Sequence, residues 1–189
     1  MITACTLFGI NLLFIGLLPK LFFRQDGSYN LMWFATAAPF GLCGVVLGLG
    51  IADVIAPLYV TGDVHTALLA VGMALSAGSI ALIAYTIGTH RVPLALWHQD
   101  NDAPRSIVTY GAYKRIRHPF YTSFILCLVG ATIAFPHPLT AACLVYGLLI
   151  LNHTAAREER NLLQSDFGDE YRAYLGRTGR FFPRLSEAG

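Results

Sequence analysis

The feature that most constrains this chain is a long uncharged stretch near its carboxyl end. From His118 to Ala156 the sequence contains no Lys, Arg, Asp or Glu, and its apolar character is broken only at Pro136-His137-Pro138. Proline interrupts a helix, so this break predicts a turn. Each half is close to the roughly 20 residues that a helix needs to cross a bilayer. The stretch therefore predicts two antiparallel membrane helices joined as a hairpin.

Three further apolar segments precede this hairpin. Of the 189 residues, 55% are hydrophobic and only 13% are charged, whereas an ordinary soluble domain has roughly 25% charged residues. The sequence thus predicts an all-α fold, a polytopic membrane helical bundle with about five transmembrane helices. The first segment lacks the basic residues that begin a secretory signal, so we expect it to remain as a helix. The predicted spans are residues 1–19, 31–52, 66–89, 119–135 and 138–156.

The basic residues predict the orientation. Lys and Arg follow the first span, lie between the third and fourth, and follow the fifth, and they are absent around residues 59–65 and 136–138. Because Lys and Arg accumulate in cytoplasmic loops, we expect an N-out, C-in integral protein of a prokaryotic cytoplasmic membrane with its active site facing the cytoplasm. The predicted single domain comprises three architectural spans (1–90), a cytoplasmic loop (91–118), the hairpin (119–156) and a cytoplasmic tail (157–189).

Small residues at intervals of four predict where these helices pack closely. Gly44 and Gly48 lie in the second span, and Ala70, Ala74 and Gly78 lie in the third. Small side chains let two membrane helices approach, because lipid supplies no hydrophobic force to bring them together.

Two classes of ligand are not expected. The four cysteines lie in apolar runs without the spacing of metal ligands, so we expect no metal site. The formal net charge of +2 says little about partners, because the charged residues are gathered into a few short stretches. We expect no nucleic-acid partner for a membrane protein of this kind. The expected partners are the bilayer and an amphiphilic small molecule or lipid.

A polar, basic cluster leads into the hairpin. Arg117, His118 and Tyr121 surround Pro119, which suits the first turn of a helix because its missing N–H would have no partner there. The free N–H groups of such a turn, together with Arg117, would suit an anion such as a carboxylate. Basic residues beside a span are commonly only topology anchors, and Lys114 fits that description.

A second polar cluster, Glu158 and Glu159, directly follows the fifth span. Because the hairpin is antiparallel, it should bring both clusters to the same depth. Neighbouring helix positions differ by about 100° in direction, so we expect one glutamate to bind a ligand and the other to pair with a basic residue.

At these clusters the sequence resembles the isoprenylcysteine carboxyl methyltransferase and phospholipid N-methyltransferase superfamily. The resemblance extends in order over about 75 residues and is carried by Val108-Thr109, Gly111, Tyr113, Arg117-His118-Pro119, Tyr121, Glu158-Glu159, Phe167-Gly168, Tyr171, Tyr174, Arg180 and Pro183.

This resemblance implies a small membrane enzyme that transfers a methyl group from S-adenosylmethionine to an amphiphilic or lipid-associated carboxylate, amine or thiol. The sequence contains no G-x-G-x-x-G turn, the motif that would indicate a soluble nucleotide-binding domain. Arg105 stands where the isoprenylcysteine enzymes have a histidine, which counts against a prenylcysteine acceptor. The implied catalytic residues are Arg117 and Glu158, and the implied cofactor-binding residues are Tyr113, His118, Pro119, Tyr121, Glu158 and Glu159.

Two other functions fit parts of the sequence. A sterol-reductase-like oxidoreductase using a nicotinamide cofactor would have a similar arginine-and-tyrosine segment, but Phe120 replaces the asparagine expected there. A non-enzymatic membrane scaffold would bind no nucleotide-like ligand, whereas the concentration of Arg, His, Tyr and Glu at one depth predicts such a ligand.

Overall fold

The computed structural model describes residues 2–16, 22–23, 26–58, 62–89 and 107–184. Over these residues the all-α prediction is confirmed. Most of the predicted loop 91–118, including Arg105, lies outside the described residues, as does the end of the predicted tail. The helices are α1 (Ile2–Gly16), α2 (Leu31–Ile51), α3 (Gly62–Thr89), a short 3-10 helix (Gly111–Lys114), α4 (Pro119–Ala134), α5 (Pro138–Leu163) and α6 (Gly168–Arg177).

Within the described residues, three helices are long and apolar enough to cross a membrane, namely α2, α3 and α5. The helices α1 and α4 are apolar but only 15 and 16 residues long. At a rise of about 1.5 Å per residue they extend about 23 and 24 Å, less than the roughly 30 Å hydrocarbon core. The described residues therefore contain three candidate spans, whereas the sequence predicted about five.

Local sequence signals fix where these helices begin. The side-chain oxygen of Asn30 accepts a hydrogen bond from the Trp33 amide at 3.3 Å and caps α2. Pro119 and Pro138 each occupy the first position of their helix, where proline costs no hydrogen bond. The ring of His137 accepts a hydrogen bond from the Leu139 amide at 3.1 Å. These caps confine the turn between α4 and α5 to a few residues.

The closest helix packing occurs between α3 and α4. A Cβ atom added to Gly72 would lie 2.7 Å from the Gly130 carbonyl oxygen, and one added to Gly130 would lie 2.8 Å from the Gly72 carbonyl oxygen. The predicted contact face of α3 is wrong, because Ala70, Ala74 and Gly78 are exposed. The four-residue spacing located small residues on α3 but did not identify the face of the helix that is buried. The buried residues of α3 are Gly72, Ser76, Ser79, Ile83, Thr86 and Thr89.

The contact predicted for α2 is half right. A Cβ atom added to Gly44 would lie 3.6 Å from side-chain atoms of Phe8 and Leu12, so this glycine faces α1. No described atom lies within 4 Å of a Cβ added to Gly48, which is exposed. One of the two glycines therefore contributes to the helix contact.

A buried polar contact also joins α1 to α3 and α4. The Asn11 side chain is 1% exposed and donates to the Ser76 carbonyl at 3.2 Å. The Ser79 hydroxyl lies 2.6 Å from Asn11 Oδ1 and 2.7 Å from the Ser123 carbonyl oxygen. Polar groups in an apolar interior must find protein partners, and here they connect three helices.

Candidate functional site

The two polar clusters meet where α4 begins and α5 approaches its end. The Tyr121 hydroxyl donates to Glu158 Oε1 at 2.7 Å, and Arg117 Nε donates to Glu159 Oε1 at 2.9 Å. The His118 ring lies between the two carboxylates. Its side chain is only 9% exposed and that of Glu159 only 8%. We call these five residues, together with Arg180, the polar cluster.

Glu159 binds two arginines. Besides Arg117, it contacts Arg180, whose Nη2 lies 2.5 Å from Oε2 and whose Nε lies 3.2 Å from Oε1. Arg180 also donates to Asn152 Oδ1 at 2.7 Å. The hydrogen bond and charge of Glu159 raise the pKa of the Arg180 guanidinium, so this arginine remains a cation. Glu159 is thus the glutamate that pairs with basic residues.

A C-terminal strap, residues 178–181, crosses the segment before α4. The Gly179 carbonyl accepts from the Arg117 amide at 2.9 Å, and the Arg180 carbonyl accepts from the His118 amide at 3.1 Å. The Arg117 guanidinium also donates to the Thr178 carbonyl. The Arg117 guanidinium therefore donates both to the strap and to Glu159, and binding of an anionic ligand beside it stays a prediction.

The 3-10 helix and α6 support the cluster from outside. The Tyr174 hydroxyl donates to the Tyr113 carbonyl at 2.6 Å, and the Thr178 hydroxyl donates to the Tyr174 carbonyl at 2.6 Å. Burial raises the pKa of the Tyr113 phenol, so the phenol is neutral. Pro119 is buried and begins α4, and its predicted contact with a cofactor stays a prediction.

His118 is neutral near pH 7 because burial lowers the pKa of its imidazole. The hydrogen bond and charge of Glu159 raise that pKa, while Arg117 and Arg180 lower it, and burial is the largest influence. Nε2 lies 3.3 Å from Glu159 Oε1, and Nδ1 lies 3.5 Å from Glu158 Oε2. A neutral imidazole carries a single N–H, so it can donate to only one of these carboxylates.

Sequence reasoning placed the two clusters together but gave no site role to the strap. Arg180 appeared only in the family motif, and its contact with Glu159 spans the turn and helix α6 between them. In the part of the chain that the structure describes, no three His, Cys, Asp or Glu residues form a group able to hold a metal ion.

Curated relatives of this chain are named for metal resistance. The nickel-cobalt-cadmium resistance protein NccN of Alcaligenes xylosoxydans xylosoxydans is 31% identical over 112 residues, which cover 59% of this chain and 51% of that protein. The cobalt-zinc-cadmium resistance protein CzcN of Cupriavidus metallidurans is 30% identical over 112 residues, covering 59% of this chain and 50% of that protein. The chain thus spans about half the length of the curated relatives it matches. No protein-family profile and no solved structure matches it.

These relatives overturn the function that the sequence suggested. Methyl transfer from S-adenosylmethionine to an amphiphilic acceptor is the wrong function, because the similar proteins are named for resistance to nickel, cobalt, zinc and cadmium. Arg, His, Tyr and Glu form hydrogen-bonded clusters in many contexts, so their order along a membrane hairpin did not define a reaction. Binding of S-adenosylmethionine to the polar cluster stays a prediction.

Proposed function

We propose that this chain is a membrane component of resistance to divalent transition metals. The observation that carries the proposal is its similarity to two proteins named for such resistance, at 31% and 30% identity. Cobalt and cadmium occur in both names, so these two cations are the first to test.

The apolar helices support a location in the membrane, and we propose that the polar cluster is the functional site. Its side chains come from α4, α5 and the strap, yet they share one network of hydrogen bonds and ion pairs. Burying charged groups is costly unless each one is paired. A cluster of this kind at the end of an apolar hairpin is therefore a candidate for function rather than an ordinary charged surface.

For topology, we propose about five spans with the N-terminus outside and the polar cluster at the cytoplasmic face. The basic residues around the cluster support this orientation. Single cysteines replacing Asp63 and Glu170, in a chain without its native cysteines, provide a test in intact cells. An impermeant thiol reagent should label the Asp63 position and spare the Glu170 position, and the opposite result would reverse the orientation.

Deletion of the gene from its host genome tests the proposed function. The deletion strain should stop growing at several-fold lower concentrations of cobalt and cadmium, and a plasmid copy should restore growth. Growth with added magnesium or with a mild detergent is the control, because a general membrane defect would change both. Equal growth of the deletion and parent strains in cobalt, cadmium, nickel and zinc would contradict the proposal.

A further inference from the structure

The contacts of His118 determine which of its ring nitrogens carries the proton. Nε2 lies 3.3 Å from Glu159 Oε1. Two arginines bind Glu159, so this carboxylate is ionised and accepts hydrogen bonds. A ring proton on Nε2 gives that carboxylate a third donor. The lone pair of the neutral imidazole is then on Nδ1.

On the other side of the ring, this lone pair faces Glu158. Nδ1 lies 3.5 Å from Glu158 Oε2, and the two side chains are 9% and 17% exposed. Two buried acceptors that face each other lose their hydrogen bonds to water without gaining a partner. A proton on Oε2 turns one of them into a donor, while Oε1 remains free to accept the Tyr121 hydroxyl at 2.7 Å. A neutral carboxyl group therefore matches both neighbours of Glu158, and a carboxylate matches only Tyr121.

The surroundings of Glu158 also favour its protonated form. Glu158 follows the predicted fifth span, 138–156, and lies at the polar end of the hairpin. Burial raises the pKa of its carboxyl group to about 8, and the charge of Glu159 acts in the same direction. The Tyr121 hydrogen bond and the charge of Arg157 lower that pKa but do not offset burial. The titratable and charged groups around Glu158 include Tyr113 of the 3-10 helix, His118 and Tyr121 at the start of α4, Arg157 and Glu159 on α5, and Tyr171 on α6.

We propose that Glu158 and His118 form a proton-binding site, in which one exchangeable proton is held on Glu158 Oε2 and His118 Nδ1 is the atom that can accept it. Transfer breaks the O–H bond of Glu158 and forms an N–H bond at Nδ1, which gives a carboxylate and an imidazolium. The summed charge of the pair is zero before and after the transfer, so the buried site gains no net charge.

The two adjacent glutamates then have separate roles. Glu158 holds the proton, and its partial exposure lets that proton exchange with water. Glu159 is ionised by its arginines and lies beside Nε2, where it would stabilise the imidazolium. Ionisable groups in membrane proteins commonly form proton relays, and this site suits proton uptake and release at the end of the hairpin. The inference does not depend on the proposed function.

Infrared spectroscopy of the full-length chain in detergent tests the site, because the carbonyl stretch of a protonated carboxyl group is separate from that of a carboxylate. Spectra are recorded at about pH 6 and about pH 10, on either side of the pKa of Glu158. The unmodified chain should show the protonated band at the lower pH, lose it at the higher pH, and shift it in heavy water. Glu158→Gln should lack the band. Glu170→Gln, an exposed change on α6, should keep it.

Nitrogen NMR of isotope-labelled histidine tests the other half of the pair. The His118 signals are those missing from His118→Gln, and at pH 7 they should show a protonated Nε2 and an unprotonated Nδ1. If His118→Gln fails to fold, the infrared comparison decides, because the amide of Glu158→Gln keeps a donor and an acceptor at nearly the same volume.

Four results would overturn the site. Absence of the protonated band at about pH 6 would mean that Glu158 is ionised. An equal band in Glu158→Gln would assign the proton to another carboxyl group. A band that changes neither at the higher pH nor in heavy water would mean that the proton does not exchange. Protonation of both ring nitrogens at pH 7 would place the proton on His118.

Discussion

Replacing Glu159 by glutamine tests the charge balance of the polar cluster. Glu159 binds Arg117 at 2.9 Å and Arg180 at 2.5 Å, and its own side chain is 8% exposed. Glutamine keeps the shape of the side chain but removes its charge. The substitution therefore leaves two guanidinium groups without their shared carboxylate.

The two arginines contribute unequally to the expected loss of stability. The Arg117 side chain is 11% exposed, and breaking a buried ion pair by removing one partner costs about 3–5 kcal/mol. The Arg180 side chain is 32% exposed, so it can turn toward water when its partner is lost. Loss of the Arg180 ion pair therefore adds at most about 1 kcal/mol to the destabilisation. For a domain of this size, 1 kcal/mol shifts the melting temperature by about 2–4 °C. The combined loss of about 3–6 kcal/mol should therefore lower the melting temperature of Glu159→Gln by about 6–24 °C.

A thiol-reactive dye measures this shift in detergent, because Cys43 and Cys127 are fully buried in the folded chain and react only on unfolding. Glu170→Gln, an exposed change on α6, is the matched control and should melt within about 2 °C of the unmodified chain. A second variant, Glu159→Gln with Arg117→Met, should recover part of the loss, because removing both partners costs less than leaving one charge unpaired. A melting temperature for Glu159→Gln equal to that of the control would refute the charge-balance argument.

Two further substitutions test the arginine and the strap. Arg117→Lys should lower the free energy of unfolding by about 1–3 kcal/mol, because an ammonium cannot reproduce the planar donors that reach both Glu159 and the strap. Arg115→Lys, at an exposed position, is the control. Equal melting temperatures of the two variants would reject this role of Arg117. Gly179→Ala should lower the free energy of unfolding by about 1–3 kcal/mol, because the added Cβ would lie 1.7 Å from the carbonyl oxygen of Phe182, directly after the strap. Gly176→Ala is the control, because no atom lies within 4 Å of the added Cβ, and it should be neutral or stabilising by up to about 1 kcal/mol. Equal melting temperatures of the two alanine variants would reject a tight contact at Gly179.

The sequence was sufficient to predict the hairpin and the meeting of the two clusters. The prolines at 136 and 138 fixed the turn, and an antiparallel hairpin necessarily returns Glu158 to the level of Tyr121. Which glutamate would face the arginines was not predictable, because this depends on the rotation of α5 about its axis. That rotation is set by packing against other helices.

The strap could not be predicted for a different reason. Arg180 reaches Glu159 only after the chain reverses through the turn that follows α5 and through α6. No local periodicity encodes such a return. The prediction of methyl transfer was wrong because the residue types of the cluster suit several ligands, and the sequence alone did not favour one class.

Growth of a strain carrying Glu158→Gln in place of the native gene tests the central claim most directly. The strain is compared with one carrying Glu170→Gln, at equal amounts of each protein in the membrane, over a series of cobalt and cadmium concentrations. The account predicts that Glu158→Gln is as sensitive as the deletion strain, while Glu170→Gln grows like the parent. Full resistance in the Glu158→Gln strain would contradict the claim that the polar cluster is the site of metal resistance.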